Sequence, residues 1–330
     1  MPEVAERELT FAQAIREALA EEMRRDSTVC VLGEDVAEAG TPFKVLSGLV
    51  EEFGKDRVFD TPISEAGFTG LAVGAAMSGL RPVVDIMFGD FITLTMDQMV
   101  NQAAKVHYMS GGKWTVPMVM RTTLGATRRS AAQHSQSLHA WLCHVPGLKV
   151  VLPSTPYDAK GLLKSAIRDN NPVAFFEDKM MYKLKGSVPA EDYTIPLGVA
   201  DVKRDGDDIT LVATSSMVQV ALGAADLLAS AGISAEVVDP RSLWPLDENT
   251  ILNSVKKTSR AIVLDEGYER YGITAEIASV IAAGAFYDLD APVKRMGAMH
   301  VPIPFSPPLE DVTVPTEESV FEVARAMCRK

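Results

Sequence analysis

The sequence predicts an α/β protein of two domains, each with a parallel sheet covered by helices. Three observations carry this prediction: a length of 330 residues, an ordinary globular composition, and apolar strand-like segments that alternate with amphipathic helical ones. Hydrophobic residues make up 47% of the chain and charged residues 23%, so each domain can bury its own core. Alternating strands and helices favour parallel sheets with helices on both faces.

The first half opens with a well-marked helix start. Leu9, Thr10 and Gln13 fit a hydrophobic staple, an N-cap and a capping-box partner. Apolar residues then recur at helical spacing from Phe11 to Met23. The strands predicted next in this half are 29–32, 83–87, 116–121, 149–152 and 173–176, and the helices between them lie near 93–108 and 157–168.

A segment without alternating strands and helices separates the two halves of the chain. Residues 187–208 contain Pro189, Pro196 and a run of charges, and therefore predict a linker. The predicted domains are then 1–186 and 209–330.

The second half repeats the alternation of strands and helices. Ser216 with Gln219 predicts the cap of a helix over 217–231, and Gly232 predicts its end. The strands predicted in this half are 209–213, 235–238, 261–264 and 293–296.

Charge and hydropathy exclude several classes of protein. A net charge of -12 without a block of Lys and Arg argues against a nucleic-acid binder. The uncharged stretch 66–80 is shorter than the roughly 20 residues of a membrane helix. The first residues are charged and show no secretory signal, and three scattered cysteines predict no disulfide framework. We therefore expect a cytoplasmic protein that binds neither nucleic acid nor a membrane.

The segment from Asp60 to Gly70 singles out one acid. A short strand at 57–59 is stopped by Pro62, and Ser64 can cap a helix that begins near residue 66, which places Glu65 in its first turn. The apolar neighbours Ile63 and Phe68 favour a neutral carboxyl, whereas a helix N-terminus favours the anion. Glu65 is a candidate for proton exchange with a bound cofactor; the alternative is an ordinary acid at a favourable helix position.

Two further segments carry candidate polar groups. His134 lies among hydrogen-bonding side chains before an apolar helix, where an imidazole can relay protons or simply brace the helix. The oxygen-rich turn at 169–172 can hold a hard cation or merely end a helix. His139, Cys143 and His144 imitate zinc ligands but lack a fourth ligand, which favours helix packing.

Taken together, many ordered motifs resemble one family over nearly the whole length: the β subunits of the thiamine-diphosphate-dependent decarboxylase component of 2-oxo acid dehydrogenase complexes. The resemblance implies a pyrimidine-type thiamine-diphosphate-binding domain followed by a transketolase-like C-terminal α/β domain. The motifs that carry it are 33–36, 43–45, 60–65, 79–83, 108–112, 132–136, 145–150, 158–161 and 167–172.

The resemblance also implies roles for individual residues. Glu65 matches the glutamate that hydrogen-bonds the pyrimidine ring, and His134 matches a histidine that faces substrate and lipoyl group. Glu34 matches an acid near a water network at the subunit interface. The remaining residues implied are Ile63, Met87 and Phe91 for the pyrimidine pocket, and Met118, Ala166, Ile167, Asp169 and Asn171 for a potassium site.

The resemblance also implies partner subunits, one of which contributes half of the coenzyme site. The family's α subunit supplies the magnesium and diphosphate half, and the motif for that half, Gly-Asp-Gly followed by Asn, is missing from this sequence. Two α and two β chains form a heterotetramer, the second domain dimerises and contacts the lipoyl acyltransferase core, and the helix through Gly70 to Gly79 becomes a predicted subunit contact.

Two segments depart from the pyruvate-type pattern. Residues 86–91 and 127–132 resemble acetoin-cleaving members, but the sequence does not choose among pyruvate, acetoin and branched-chain 2-oxo acids. Arg128 or Arg129 either faces the active-site channel or pairs with acids of the α subunit. A split transketolase-like enzyme acting on sugars and a purely structural subunit remain alternatives.

Overall fold

Two groups of residues each form an α/β unit in this computed structural model, which describes Glu6–Arg329. The first unit comprises the described residues up to Leu124 together with Trp141–Leu197, and the second comprises Gly125–Ala140 together with the described residues from Gly198. The contiguous domain limits at 186 and 209 stay a prediction.

The first unit is built on a parallel sheet of six strands in the order β6-β7-β5-β4-β2-β3. Separately, β1 pairs antiparallel with β8. The strands are β1 (Glu6–Thr10), β2 (Val29–Gly33), β3 (Val58–Asp60), β4 (Arg81–Ile86), β5 (Val119–Leu124), β6 (Lys149–Val151), β7 (Val173–Asp178) and β8 (Lys185–Pro189).

Helices cover this sheet, and α1 packs against α7. Thr10 and Gln13 form the predicted capping box at the start of α1, which buries Phe11, Ile15 and Leu19. The helices in this part of the chain are α1 (Phe11–Arg25), α2 (Leu49–Phe53), α3 (Glu65–Met77), α4 (Ile92–Met96), α5 (Val106–Met109), α6 (His139–Cys143) and α7 (Pro156–Arg168). The first two residues of α6 are assigned to the second unit.

Two local predictions in this unit were wrong. The helix expected over 93–108 is divided into α4, a π-helical stretch at Asp97–Ala103, and α5. Ser64 precedes α3 but makes no side-chain capping bond, and the helix begins at Glu65 itself. Its first turn therefore exposes backbone N–H groups beside this acid.

The second unit holds a five-stranded sheet in the order β14-β13-β10-β11-β9, with β9 antiparallel to its neighbour. The strands of this sheet are β9 (Asp201–Arg204), β10 (Ile209–Ala213), β11 (Ala235–Asp239), β13 (Ala261–Tyr268) and β14 (Lys294–Ala298). A further short strand, β12 (Ser242–Trp244), is not part of this sheet. The helices of this unit are α8 (Met217–Ser230), α9 (Glu248–Thr258), α10 (Ile273–Gly284), α11 (Pro307–Glu310) and α12 (Glu317–Cys328).

The core of the second unit lies between the sheet and the helices α8 and α12. Ser216 does not cap α8 as predicted, because its hydroxyl donates to Glu266 over 3.1 Å. Gly232 follows the helix with φ of +77°, as expected of a terminating glycine. Across residues 6–329, none of the helices has both the length and the apolar character needed to cross a membrane.

Candidate functional site

The residues predicted to hold the pyrimidine ring lie just beyond the carboxyl ends of three adjacent strands of the first unit. Gly33 at the end of β2 is in register with Asp60 at the end of β3 and with Asp85 near the end of β4. Parallel strands bring such ends to one edge of the sheet, where open α/β folds bind ligands. Glu34 follows β2, and Glu65 follows β3.

Glu65 is a buried acid in the first turn of α3. Its side chain is only 7% exposed, and within residues 6–329 no hydrogen bond or ion pair holds its carboxylate. The N–H groups of the first helical turn lie beside it and favour negative charge. The sequence placed Glu65 in this first turn, and the structure confirms that position.

Glu34 is a second buried acid at the same edge. It is 8% exposed, and its Oε1 has no hydrogen-bond partner among the described residues. Burial raises its pKa, and the negative charges of Glu65, Asp35 and Asp85 raise it further. Glu34 and Glu65 thus follow two adjacent parallel strands at one edge of the sheet, and both are buried.

The apolar residues of the predicted pocket differ in exposure. Ile63 is 85% exposed just before α3, while Met87 and Phe91 are partly buried after β4. Phe91 meets Phe88 edge to face, with ring centroids 5.9 Å apart. The carbonyl of Met87 accepts a bond from the hydroxyl of Thr123 over 3.4 Å. The loop after β4 thus offers apolar surface on a braced backbone.

A buried ion network lies in the sheet behind these acids, and sequence analysis did not identify it. Arg121 of β5 donates to Glu177 of β7 over 2.5 and 2.7 Å and also binds Asp85 of β4. Burial raises the pKa of both carboxyls despite the guanidinium between them. Charged residues inside the apolar strands 119–124 and 173–178 were the available signal.

His134 belongs to the second unit, within residues 125–140, here called the His134 segment. The residue is partly buried, and its amide donates to the carbonyl of Ala131 over 3.4 Å. The guanidinium of Arg129 lies 2.7 Å from Glu310 and 2.7 Å from Asp311 of the same chain. Arg129 is thus paired with acids, but these belong to its own subunit.

His139, Cys143 and His144 resemble zinc ligands and were predicted to pack a helix. Of these three, His139 forms a hydrogen-bonded anchor. His139 is fully buried, and its Nε2 lies 3.0 Å from Asp265. Burial would raise the pKa of Asp265, but the charge of His139 and the donors of Thr214 and Gly267 hold that pKa below its usual range. Among residues 6–329, no group of His, Cys, Asp and Glu is placed to hold a metal ion.

The oxygens of the predicted potassium site already bind protein donors. One guanidinium nitrogen of Arg81 lies 3.0 Å from the Ile167 carbonyl and 2.9 Å from the Asp169 carbonyl. The Asp169 carboxylate binds Lys149 and the amides of Asn171. The carbonyls of Met118 and Ala166 accept backbone bonds from Val173 and Asp169.

Comparisons with known proteins identify both parts of the chain. Residues 7–185 match the family of the transketolase pyrimidine binding domain, and residues 198–320 match the transketolase C-terminal domain. A solved structure titled split gene transketolase, inactive beta4 tetramer, has a TM-score of 0.79 at 22% identity, and the match covers 97% of this chain and 99% of that one. This likeness shows the fold.

Relatives that match along nearly the whole chain define its family more closely. The chain is 53% identical to the acetoin:2,6-dichlorophenolindophenol oxidoreductase subunit beta of Bacillus subtilis, over 96% of each chain. It is 45% identical to the 2-oxoisovalerate dehydrogenase subunit beta of the same organism and 47% identical to the pyruvate dehydrogenase E1 component subunit beta of Rickettsia felis, each over 97% of this chain and 98% of the relative. The chain therefore belongs to the transketolase-like family of dehydrogenase E1 β subunits.

Proposed function

We propose that this chain forms the pyrimidine-binding half of a thiamine-diphosphate-dependent dehydrogenase component that cleaves acetoin and passes the acyl group to a lipoyl domain. The observation that carries the proposal is the pair of buried acids, Glu65 and Glu34, at the carboxyl ends of parallel strands. These residues fit the pyrimidine ring, because the buried Oε1 of Glu34 has no partner within residues 6–329 and calls for a polar ligand.

Each side chain has a distinct task in this proposal. Thiamine diphosphate, when bound, supplies a heterocycle that stabilises a carbanion at the substrate carbonyl carbon. Glu65 holds and exchanges one proton at a carboxylate oxygen, and Glu34 places a second proton store beside it. Ile63, Met87 and Phe91 keep water from the ring. His134 holds a proton on its imidazole for acyl transfer.

Acetoin is favoured as the substrate among the three candidates. The relative named for acetoin is 53% identical to this chain, against 45% for the 2-oxoisovalerate relative and 47% for a pyruvate relative. The segments 86–91 and 127–132 point the same way, because they resemble acetoin-cleaving members. The first segment begins at the last residue of β4, and the second begins three residues after the end of β5, in loops of the kind that decide which ligand is bound.

The proposal includes an α partner and a cytoplasmic location. The missing Gly-Asp-Gly and Asn motif supports assigning magnesium and diphosphate to an α subunit, in a heterotetramer of two α and two β chains. The second domain would dimerise and contact the lipoyl acyltransferase core. The three cysteines of the chain are free, which supports a reducing compartment.

The predicted potassium site has weaker support. Its residues as arranged do not fit an added cation, because Arg81 and Lys149 already place two positive groups on its oxygens. Burial would raise the pKa of Asp169, but Lys149 and Asn171 outweigh that effect and hold the pKa low. We therefore propose that Arg81 and Lys149 brace the loop after α7.

The deciding experiment is coexpression with a candidate α subunit, with acetoin, pyruvate and a branched-chain 2-oxo acid as substrates and either 2,6-dichlorophenolindophenol or a lipoyl domain as acceptor. Glu65→Gln should lower turnover by about 10²–10⁴-fold, because it removes a group that transfers a proton. Glu51→Gln is the matched control, since Glu51 is an exposed acid in the first turn of α2.

Two results would overturn this proposal. Turnover of sugar phosphates with no transfer to a lipoyl domain would establish the split-transketolase alternative, whose fold this chain shares. Full turnover by both Glu65→Gln and His134→Ala, in an assembled complex, would show that the chain is a structural subunit.

A further inference from the structure

The His134 segment is anchored to the second unit at three points. Near its start the amide of Ala126 donates to Glu266 over 2.6 Å, and near its end His139 binds Asp265. Between these two anchors, Arg129 binds the end of α11. The middle anchor, at Arg129, lies five residues before His134, and the anchor at His139 lies five residues after it.

The backbone between the anchors has an unusual conformation. Thr127, Arg129 and Ala131 have φ values of 64°, 59° and 58°, and none of them is a glycine. A left-handed backbone is unfavourable for residues with a Cβ, so it persists only where surrounding contacts enforce it. The shape of the segment therefore depends on contacts made outside it.

Glu310 supplies such a contact to Arg129, the middle one of these three left-handed residues. One oxygen of its carboxylate accepts both the amide of Arg129, over 3.1 Å, and the guanidinium of Arg129, over 2.7 Å. A single acceptor thus holds the backbone and the side chain of one residue. The Glu310 side chain is fully buried, whereas that of Asp311 is 56% exposed. Since a buried carboxylate has no water to replace a lost partner, Glu310 is the main anchor.

The backbone transmits this restraint to His134. Arg129 is followed two residues later by Ala131, which is also left-handed, and the Ala131 carbonyl accepts the His134 amide over 3.4 Å. A turn thus joins the restrained residues to the imidazole-bearing one. Release of Arg129 would remove one restraint on Ala131 and, through this turn, on the backbone of His134.

We propose that Arg129 is a positioning residue, which together with Glu310 sets the place of the His134 imidazole during acyl transfer to the lipoyl acceptor. The inference rests on the proposed function, which assigns proton handling in that step to His134. Displacement of a catalytic group by about 1 Å can cost a factor of about 100. Arg129 itself acts only through the segment and does not need to touch substrate.

The test uses the full chain in complex with its α subunit and compares Arg129→Ala, Arg129→Lys and wild type. Arg325→Ala is the matched control, because Arg325 forms an arginine–glutamate pair on the surface of α12 in the same unit. Two readouts do not depend on activity: hydrogen exchange across 125–140, and the rate at which diethyl pyrocarbonate modifies His134. The three exposed histidines outside the segment, His107, His144 and His300, serve as internal references for the modification.

Arg129→Ala should accelerate exchange in the segment by on the order of tenfold. It should also change the modification rate of His134 and lower transfer to a lipoyl domain by about 10–100-fold. Dye reduction, which does not use a lipoyl acceptor, should change by less than about twofold. Arg129→Lys keeps the charge but loses the planar fork, so it should give an intermediate loss. Arg325→Ala should match wild type.

The proposal is overturned if exchange and His134 modification are unchanged in Arg129→Ala, or if dye reduction and acyl transfer fall together. It is also overturned if exchange rises while acyl transfer is unaffected. A wild-type complex that transfers nothing to a lipoyl domain refutes the proposed function instead, and the two activity-independent readouts still decide whether Arg129 positions His134.

Discussion

The burial of Glu34 and Glu65 lowers the stability of the folded chain. Both are buried, and neither Glu65 nor Oε1 of Glu34 has a hydrogen-bond partner within the described residues. Buried polar groups without partners lower stability, so their retention indicates a task outside the isolated chain. At the scale of single residues, the site is therefore recognised by buried acids whose oxygens lack hydrogen-bond partners within residues 6–329 before a ligand or partner subunit is added.

Glu34→Gln is expected to raise the melting temperature of the full chain at pH 7 to 8. Because burial and neighbouring acids raise the pKa of Glu34 in the folded state, its ionised form opposes folding above that pKa. As the pH falls through the raised pKa, the folded carboxyl takes up a proton and the gain shrinks. The gain should vanish below the unfolded pKa of about 4.3.

Thermal unfolding of wild type and Glu34→Gln across this pH range provides the measurement. Glu51→Gln is again the control, since Glu51 is exposed and should show no such pH dependence. A gain of equal size at every pH would contradict the assignment of the effect to ionisation.

At the scale of elements, the ion network joins the three strands β4, β5 and β7 through Arg121. Two carboxyl groups and one guanidinium are thus buried together beside the acids of the site. Burial alone would lower the pKa of Arg121, but Glu177 and Asp85 together raise it, so the guanidinium stays charged.

Arg121→Met should lower the free energy of unfolding by about 3–5 kcal/mol, because it leaves two carboxyl groups buried without a cation. The control is a triple variant that combines Arg121→Met with Asp85→Leu and Glu177→Leu, which removes all the buried charges and should lose less. Urea unfolding of both variants measures the difference. A triple variant less stable than the single one would refute this account.

The loop after α7 gives a second prediction for an element. Arg81→Met should destabilise the chain by about 1–3 kcal/mol, because the carbonyls of Ile167 and Asp169 lose a charged donor. If Arg81 and Lys149 brace this loop without potassium, the melting temperature should be equal in KCl and NaCl at matched ionic strength. Stabilisation that grows with potassium alone would instead establish the cation site.

At the scale of the whole molecule, α3 and the residues just before it present apolar side chains that residues 6–329 leave exposed. Ile63 and Leu71 are exposed by 85% and 56%, and a Cβ added at Gly74 would meet no atom within 4 Å. A helix face of this kind allows another backbone to approach closely. It supports the proposed contact with a second subunit.

Gly74→Leu should therefore prevent copurification of the α subunit while leaving the chain itself stable. Replacement of glycine inside a helix can even add up to about 1 kcal/mol to stability. Ala229→Leu, at an exposed position of α8, is the control and should not affect assembly. Normal assembly of Gly74→Leu, measured by size-exclusion chromatography, would exclude this face as the contact.

Local patterns predicted most elements but not their details. The capping box of α1 and the strands around β2, β4, β7 and β10 agree with the apolar periodicity, because these signals lie within a few neighbouring residues. The caps at Ser64 and Ser216 were wrong, since Ser216 has a tertiary partner in Glu266. The division of the predicted helix at 93–108 by a π-helical stretch had no local signal.

The sequence by itself determined the fold class, the family, the position of Glu65 in a first helical turn and the candidates around it, because these depend on local periodicity and ordered motifs. Only the tertiary structure decided that Glu34 and Glu65 are both buried at one edge of the sheet, that Arg81 occupies the oxygens of the predicted potassium site, and that Arg129 binds Glu310. Arg129 and Glu310 are 181 residues apart in the chain. No local pattern specifies which distant charges meet, since folding alone brings them within hydrogen-bonding distance.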